Sequence, residues 1–320
     1  MDKKDKKILL ELILNSRISI TQLAKKVGVS KEVALYRIKK LEKEKLILNF
    51  YTIINTEALG FTRYGFPIQL KGITNEKEKE FLDYLVKHPF VTYLGPIIGR
   101  WNIAFDVLAK DKEHLESIIK EITSKISKYL ESYIITNIAG DPEVFDSKML
   151  GLNKSQEYNK KISLQKIDEI DLKILREMSI NSRIEYKKLS SKIKLTANAI
   201  KYRIKNLEKS GIISGYSISL DARKLNLEIY NLQIKQNWHE KESQLKTFLR
   251  TNSKVIYFYK NIGYENWDFD IGLAVKNSLE LRDFIIELKK DFGNITKIHD
   301  IHTIVELSKG NITPEGVFKK

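Results

Sequence analysis

The sequence predicts an α+β chain in which two winged or helix-turn-helix domains alternate with two βαββαβ, ferredoxin-like domains. Three observations carry that reading. First, residues recur at a constant offset of 166. Asn15-Ser16-Arg17-Ile18 returns as Asn181-Ser182-Arg183-Ile184, Tyr36-Arg37-Ile38-Lys39 as Tyr202-Arg203-Ile204-Lys205, and Asp5 and Trp101 as Asp171 and Trp267. A fixed offset over so long a span marks a tandem duplication. Second, each repeat opens with three short segments of helical apolar period, the third following a tight turn. Third, each continues with strand-like and amphipathic segments in the order βαββαβ.

The elements follow in order. In the first repeat Ile8, Leu9 and Leu12 form the stripe of helix one. Ser19-Ile20-Thr21-Gln22 has the capping-box spacing that starts helix two, where Leu23 and Val27 face inward. Gly28 supplies a turn that tolerates positive φ, and Ser30 caps helix three, whose stripe is Ala34, Ile38 and Leu41. In the second repeat Thr196 is the cap and Ile200, Ile204 and Leu207 the stripe. The segments 47–54 and 212–220 read as connecting strands. Beyond them, 64–71, 91–98, 101–109 and 129–139 read as strands, with helices over 76–87 and 112–127, and the second repeat matches them. The expected domains are 1–50 and 167–216 (helix-turn-helix) and 62–140 and 226–308 (ferredoxin-like). The polar stretch 141–166 is expected to be linker.

The chain of 320 residues has no cysteine, which excludes disulfide scaffolds, zinc fingers, thiol catalysis and cysteine-bound iron–sulfur clusters. No run of about 18 apolar residues occurs and no leader segment is evident, so a cytoplasmic protein without a membrane span is expected. Residues 1–50 carry thirteen Lys/Arg against six Asp/Glu, and 167–216 carry eleven against six. Those two segments hold most of the chain's net charge of +15 in under a third of its length. Such segregation suits a phosphate-binding face and points to double-stranded DNA as the partner.

The helical part resembles the DNA-binding domain of the Lrp/AsnC (feast/famine) transcription regulators. The resemblance rests on Asp5/Ile8/Leu9, Asn15/Arg17, Leu23/Ala24, Gly28/Ser30 and Arg37/Ile38/Leu41/Glu42. The second repeat matches with Asp171/Ile174/Leu175, Asn181/Arg183, Leu189, Thr196 and Arg203/Ile204/Leu207/Glu208, and departs at Ser190 and Lys194. The βαββαβ part resembles the family's effector domain, whose Gly-x-aromatic-Asp loop appears as Gly99-Arg100-Trp101-Asn102. In the second repeat it appears as Gly263, a turn longer by two residues, then Trp267-Asp268. The resemblance implies an amino-acid effector held near those loops. It also implies pairing of two units, here supplied inside one chain, with further homo-oligomerisation of such pairs.

On helix three the face opposite the apolar stripe is free for the major groove. It carries Lys31, Glu32, Leu35, Tyr36 and Lys39, and in the second repeat Ala197, Asn198, Lys201, Tyr202 and Lys205. Lysines suit phosphate or guanine, Asn198 suits adenine, Glu32 suits cytosine, and the tyrosines suit a thymine methyl. Arg37 and Arg203 fit a structural ion pair as well as a phosphate, and Arg17 and Arg183 fit a turn. The candidate effector residues are Gly99, Trp101, Asn102, Gly263, Trp267 and Asp268; at Asn102 an amine-pairing charge is lost. The glycines also fit a plain strand turn, and the tryptophans fit core or interface.

Catalysis finds little support, and no cofactor or metal is expected. His299 and His302 stand three apart on an expected strand, which points them to opposite faces. One enzymatic alternative shares the architecture. Sirohaem decarboxylases are built from two related units and use His and Arg near the tetrapyrrole. Here the corresponding loops, 93–101 and 257–267, contain no His and only Arg100 at the turn.

Overall fold

The computed structural model describes residues 1–154, 167–236, 241–262, 265–310 and 313–319, except for the side chain of Asp141. Its elements are α1 (Lys3–Leu14), α2 (Ile20–Val27), α3 (Lys31–Lys43), β1 (Ile47–Ile54), β2 (Thr62–Leu70), α4 (Asn75–Lys87), β3 (Val91–Ile98), β4 (Ile103–Ala109), α5 (Lys112–Ile126), β5 (Leu130–Tyr133) and β6 (Thr136–Val144). The second repeat adds α6 (Glu169–Ile180), α7 (Tyr186–Ile193), α8 (Ala197–Lys209), β7 (Ile213–Leu220), β8 (Glu228–Gln236), α9 (Glu242–Thr251), β9 (Val255–Ile262), β10 (Phe269–Val275), α10 (Ser278–Phe292) and β11 (Thr296–Ile304). The chain sorts by kind rather than by repeat. One compact unit takes the described parts of Met1–Phe61, Gln156–Asp221 and Asn311–Lys320; the other takes those of Thr62–Ser155 and Ala222–Gly310. Among the described residues no helix is long and apolar enough to cross a membrane.

In the first unit, α1 and α6 each begin with a reciprocal aspartate cap, Asp2 with Asp5 and Asp168 with Asp171. Arg37 of α3 donates to Asp2 and Asp5 at 2.6 and 2.7 Å, and Arg203 of α8 to Asp168 and Asp171 at 2.8 and 2.9 Å. Each of these arginines therefore ties the third helix of its repeat to the first. Gly28 turns the chain at φ +72°; Lys194 adopts φ +61° at the matching place, a left-handed conformation that costs a side-chain-bearing residue about 1–2 kcal/mol.

The two helical triads are joined through their connecting strands. β1 and β7 form an antiparallel pair, Phe50 opposite Ile218. Around it the contacts cross between repeats. The Ser182 N–H donates to Phe50 O at 2.9 Å and the Ser16 N–H to Tyr216 O at 3.2 Å, while the buried Ser16 and Ser182 hydroxyls meet at 2.6 Å. Arg17 donates to the carbonyls of Ser182 and Ile184, and Arg183 to those of Ser16 and Ile18. These arginines do more than fix a turn: each satisfies carbonyls of the other repeat.

In the second unit each half packs two helices on the outer face of its strands. Phe66, Ile68, Phe105 and Val107 meet Leu85, Ile118 and Ile122 in one half; Leu232, Ile234, Phe269 and Ile271 meet Leu249, Phe284 and Leu288 in the other. The strands run β4-β3-β11-β8-β10-β9-β6-β2, and β2 pairs back to β4, so eight strands close a ring. The expected closing strand of the first half is split into β5 and β6. β5 pairs with β2, and β6 continues onto β9 of the other half. Likewise β11 runs from β8 onto β3.

Two expectations are corrected. The linker does not begin at residue 141, because β6 extends to Val144 and a 3-10 turn follows over Asp146–Leu150, with Leu150 buried. Lys148 holds that turn by donating to Leu249 O and Asn252 O at the end of α9, at 3.2 and 2.8 Å. The rest of the expected linker, 155–166, lies outside the described residues. Nor do His299 and His302 point to opposite faces. A bulge between Ile298 and Asp300 inserts one residue into β11, which flips the alternation. Ile298 and Ile301 pack on the outer core, while His299 stacks on Trp267 and His302 stands opposite Asn231.

Candidate DNA-binding face and inner ring face

The stripes Ala34/Ile38/Leu41 and Ile200/Ile204/Leu207 are buried, so α3 and α8 must turn their other faces outward. Lys31, Glu32, Leu35, Tyr36 and Lys39 are all exposed, as are Ala197, Asn198, Lys201, Tyr202 and Lys205. Tyr36 and Tyr202 are 68% and 67% exposed, so both rings stand open on that face. Ser30 and Thr196 cap the two helices, accepting from the Val33 and Ala199 N–H groups. Glu32 sits in that first turn, and hydrogen bonds from its own N–H and from Ser30 hold its carboxyl below the usual range. It is thus engaged in capping.

The loop residues have structural employment. Trp101 and Trp267 are buried to 1% exposure and offer no surface platform. Asn102 Oδ1 accepts the Leu70 N–H at 2.6 Å; Asp268 accepts the Gln236 N–H at 2.7 Å and Lys235 at 3.0 Å. Asn and Asp therefore serve the same purpose, clasping the end of the neighbouring strand, which only an acceptor oxygen requires. Gly99 has φ +155°, and a Cβ there would lie 3.1 Å from that of His302, so β11 demands the glycine. Gly263 lies outside the described residues.

Polar groups that the sequence reading passed over gather instead on the inner face of the ring. Arg63 donates to Asp106 at 2.6 and 2.9 Å. Asp270 accepts from Gln233, Asn261 and the Trp267 indole at 3.1, 2.6 and 2.8 Å. Trp101 lacks such a partner, because Ala104 stands three residues on where Asp270 follows Trp267; its Nε1 is buried and unbonded. The period-2 alternation of β8, with Asn231 and Gln233 between Leu232 and Ile234, is the signal that could have found this face. Among the described residues no group of three or more His, Asp or Glu could hold a metal ion.

Burial pushes the Asp270 carboxyl up to about 6 despite its three donors, and Asp106 adds repulsion. The folded chain then binds a proton more tightly here than the unfolded chain, whose carboxyl titrates near 3.8. This contribution to stability is complete below about pH 4 and is lost as pH rises through about 6. Asp270→Asn should remove that fall from the pH dependence of urea midpoints between pH 4 and 7. A parent and variant with parallel profiles would show that Asp270 titrates normally.

Residues 1–47 and 167–214 match the winged helix-turn-helix DNA-binding family. An uncharacterized HTH-type transcriptional regulator of Pyrococcus horikoshii is 30% identical over 140 residues, which are 43% of this chain and 87% of that protein. The HTH-type transcriptional regulator LrpC of Bacillus subtilis is 30% identical over 145 residues, 45% of this chain and 98% of LrpC. The chain belongs to the Lrp/AsnC family. As an Lrp/AsnC-family member it is a tandem duplicate, since each relative spans about one repeat. In fold it is similar to the siroheme decarboxylase NirDL, with a TM-score of 0.66, 12% identity, and coverage of 98% of this chain and 96% of NirDL. At that identity the likeness shows architecture alone.

Proposed function

We propose that this chain is a sequence-specific, duplex-DNA-binding transcriptional regulator of the Lrp/AsnC type, with both halves of the DNA-reading pair on one polypeptide. The observation that carries the reading is the pair of exposed α3 and α8 faces on a unit whose two triads hold each other through β1, β7 and the crossing Arg17 and Arg183. The basic excess of these segments supplies the phosphate attraction, and the exposed tyrosines, Asn198 and lysines supply base contacts. A small effector acting through the ring unit completes the reading.

A homodimer presents identical recognition helices and favours palindromes. Duplication removes that constraint, and the two faces here differ: Lys31, Glu32 and Leu35 against Ala197, Asn198 and Lys201. Selection of sites from random duplex DNA should return two unlike half-sites about one helical turn apart. A palindrome would mean that the divergent positions do not touch bases.

A second reading, an enzyme of the sirohaem-decarboxylase kind, draws support from the fold shared with NirDL over the whole chain. It draws further support from Arg100, which lies close enough to His299 to oppose its protonation. Titrating the protein with an iron-uroporphyrin III analogue, the compound crystallised with NirDL, separates the two. The regulator reading expects no change in the porphyrin's visible bands; a saturable shift would favour the enzyme.

A further inference from the structure

Two polar residues at the start of α3 are already committed to the fold. Glu32 is held in the cap by Ser30 and its own N–H, and Arg37 is held by Asp2 and Asp5. Much of what the helix then presents outward is hydrocarbon. Val33, Leu35 and Tyr36 are 40, 45 and 68% exposed. At about 3.6 residues per turn, Tyr36 stands opposite the buried Ala34/Ile38/Leu41 stripe, with Val33 on one flank and Leu35 on the other.

The second repeat keeps the tyrosine and changes the flanks. Tyr202 is 67% exposed, but Ala199 and Lys201 stand where Val33 and Leu35 stand, and Asn198 stands where Glu32 does. Helix formation does not ask for the first repeat's choice, because a β-branched Val is a poorer helix former than the Ala that α8 uses. Nor does the core, because both side chains lie outward. The surrounding charge says what covers them. Lys31, Lys39 and Lys43 are exposed on the same helix, so a second copy would meet ammonium with ammonium. The fitting partner is anionic at its rim and apolar within. The major groove is such a surface: phosphates line its edges, and the C5-methyl of thymine is the hydrocarbon on its floor.

A side chain without donor or acceptor discriminates among bases in one way. Set against guanine O6 or cytosine N4 it leaves a polar group desolvated and unpaired, at about 1–3 kcal/mol. Set against a thymine methyl it buries hydrocarbon on hydrocarbon. We infer that α3 reads its half-site through thymine methyl groups, with Val33 and Leu35 setting that preference, while α8 reads the other half-site chiefly through polar side chains. The inference rests on the DNA-binding reading proposed above and assigns the chemistry of its two half-sites.

The test replaces thymine by uracil, one half-site at a time, in the duplex selected from random DNA, and follows binding of the full chain by fluorescence anisotropy. Uracil lacks the methyl group and keeps every hydrogen-bonding atom of thymine. The chain has no cysteine, so a DNA-cleaving reagent attached at Lys43→Cys, at the exposed end of α3, identifies the half-site under that helix. Burying one methyl is worth about fourfold in affinity. Uracil throughout the α3 half should therefore weaken binding about tenfold or more, through loss of at least two methyl contacts. In the α8 half, where the Tyr202 ring is the large apolar group, it should cost about fourfold at most. Val33→Ala with Leu35→Lys, the residues α8 itself carries, should bring the α3 penalty down to that of α8. The readout is the ratio of thymine to uracil affinities, which a merely structural defect leaves unchanged because it weakens both duplexes alike. Equal penalties in the two halves of the parent, a selected α3 half without thymine, or an α3 penalty that survives in the double variant overturns the inference while DNA binding stands. A chain that binds no duplex at all removes both.

Discussion

Replacing Lys31, Lys39, Lys201 and Lys205 together by alanine is expected to cut affinity for the selected duplex site a hundredfold or more at about 0.1 M salt. Each lysine that neutralises a phosphate releases counterions, contributing about 0.9 to the log–log salt slope, so the variant should lose roughly 3 to 4 from it. All four side chains are exposed, so folding should be unaffected. Arg37 and Arg203 serve as the contrast. Both are tied to the aspartate caps of α1 and α6, and losing them should show first in helix stability. Fluorescence anisotropy across a salt series measures the slope. An unchanged slope in the fourfold variant would place the DNA on some other surface.

The second large effect is expected at the crossing arginines. Arg17→Ala and Arg183→Ala should each destabilise the helical unit by about 1.5–3 kcal/mol, the range for hydrogen bonds that involve a charged group. Arg17 also lies over the Tyr186 and Tyr216 rings, 5.1 and 5.6 Å from their centroids, and Arg183 lies 5.7 Å from that of Phe50. Burial lowers the affinity of Arg183 for its proton, and Arg17 repels it further. Each single variant already relieves that repulsion and the double variant relieves it only once, so the double should cost more than the two singles added. Urea unfolding followed by far-ultraviolet circular dichroism gives all three values. Single costs below about 0.5 kcal/mol would mean that β1 and β7 hold the triads together without the arginines.

The helical triads were legible because their information is local. The stripes Ile8/Leu9/Leu12 and Ala34/Ile38/Leu41, the Ser30 and Thr196 caps and the Gly28 turn all lie within a few residues of what they specify. The order of strands and helices in the ferredoxin-like halves was legible for the same reason. Ring closure was not, since it depends on β6 reaching β9 and β11 reaching β3 across more than a hundred residues of sequence. The hydrogen bonds of the loop residues were not legible from their type. Asp268 suits an amine, but the Gln236 N–H and Lys235 already occupy it. In β11 a single bulged residue reversed which faces His299 and His302 share, and nothing in the spacing of two histidines announces a bulge.

Genome-wide occupancy of the tagged full chain tests the central claim most directly, that this duplicated Lrp/AsnC-family protein acts by binding specific duplex sites. Discrete peaks are expected upstream of genes, sharing one motif of two unlike halves about a helical turn apart, and disappearing in the fourfold lysine variant. Occupancy no different from untagged background, in a strain where the protein is folded and abundant, would contradict it.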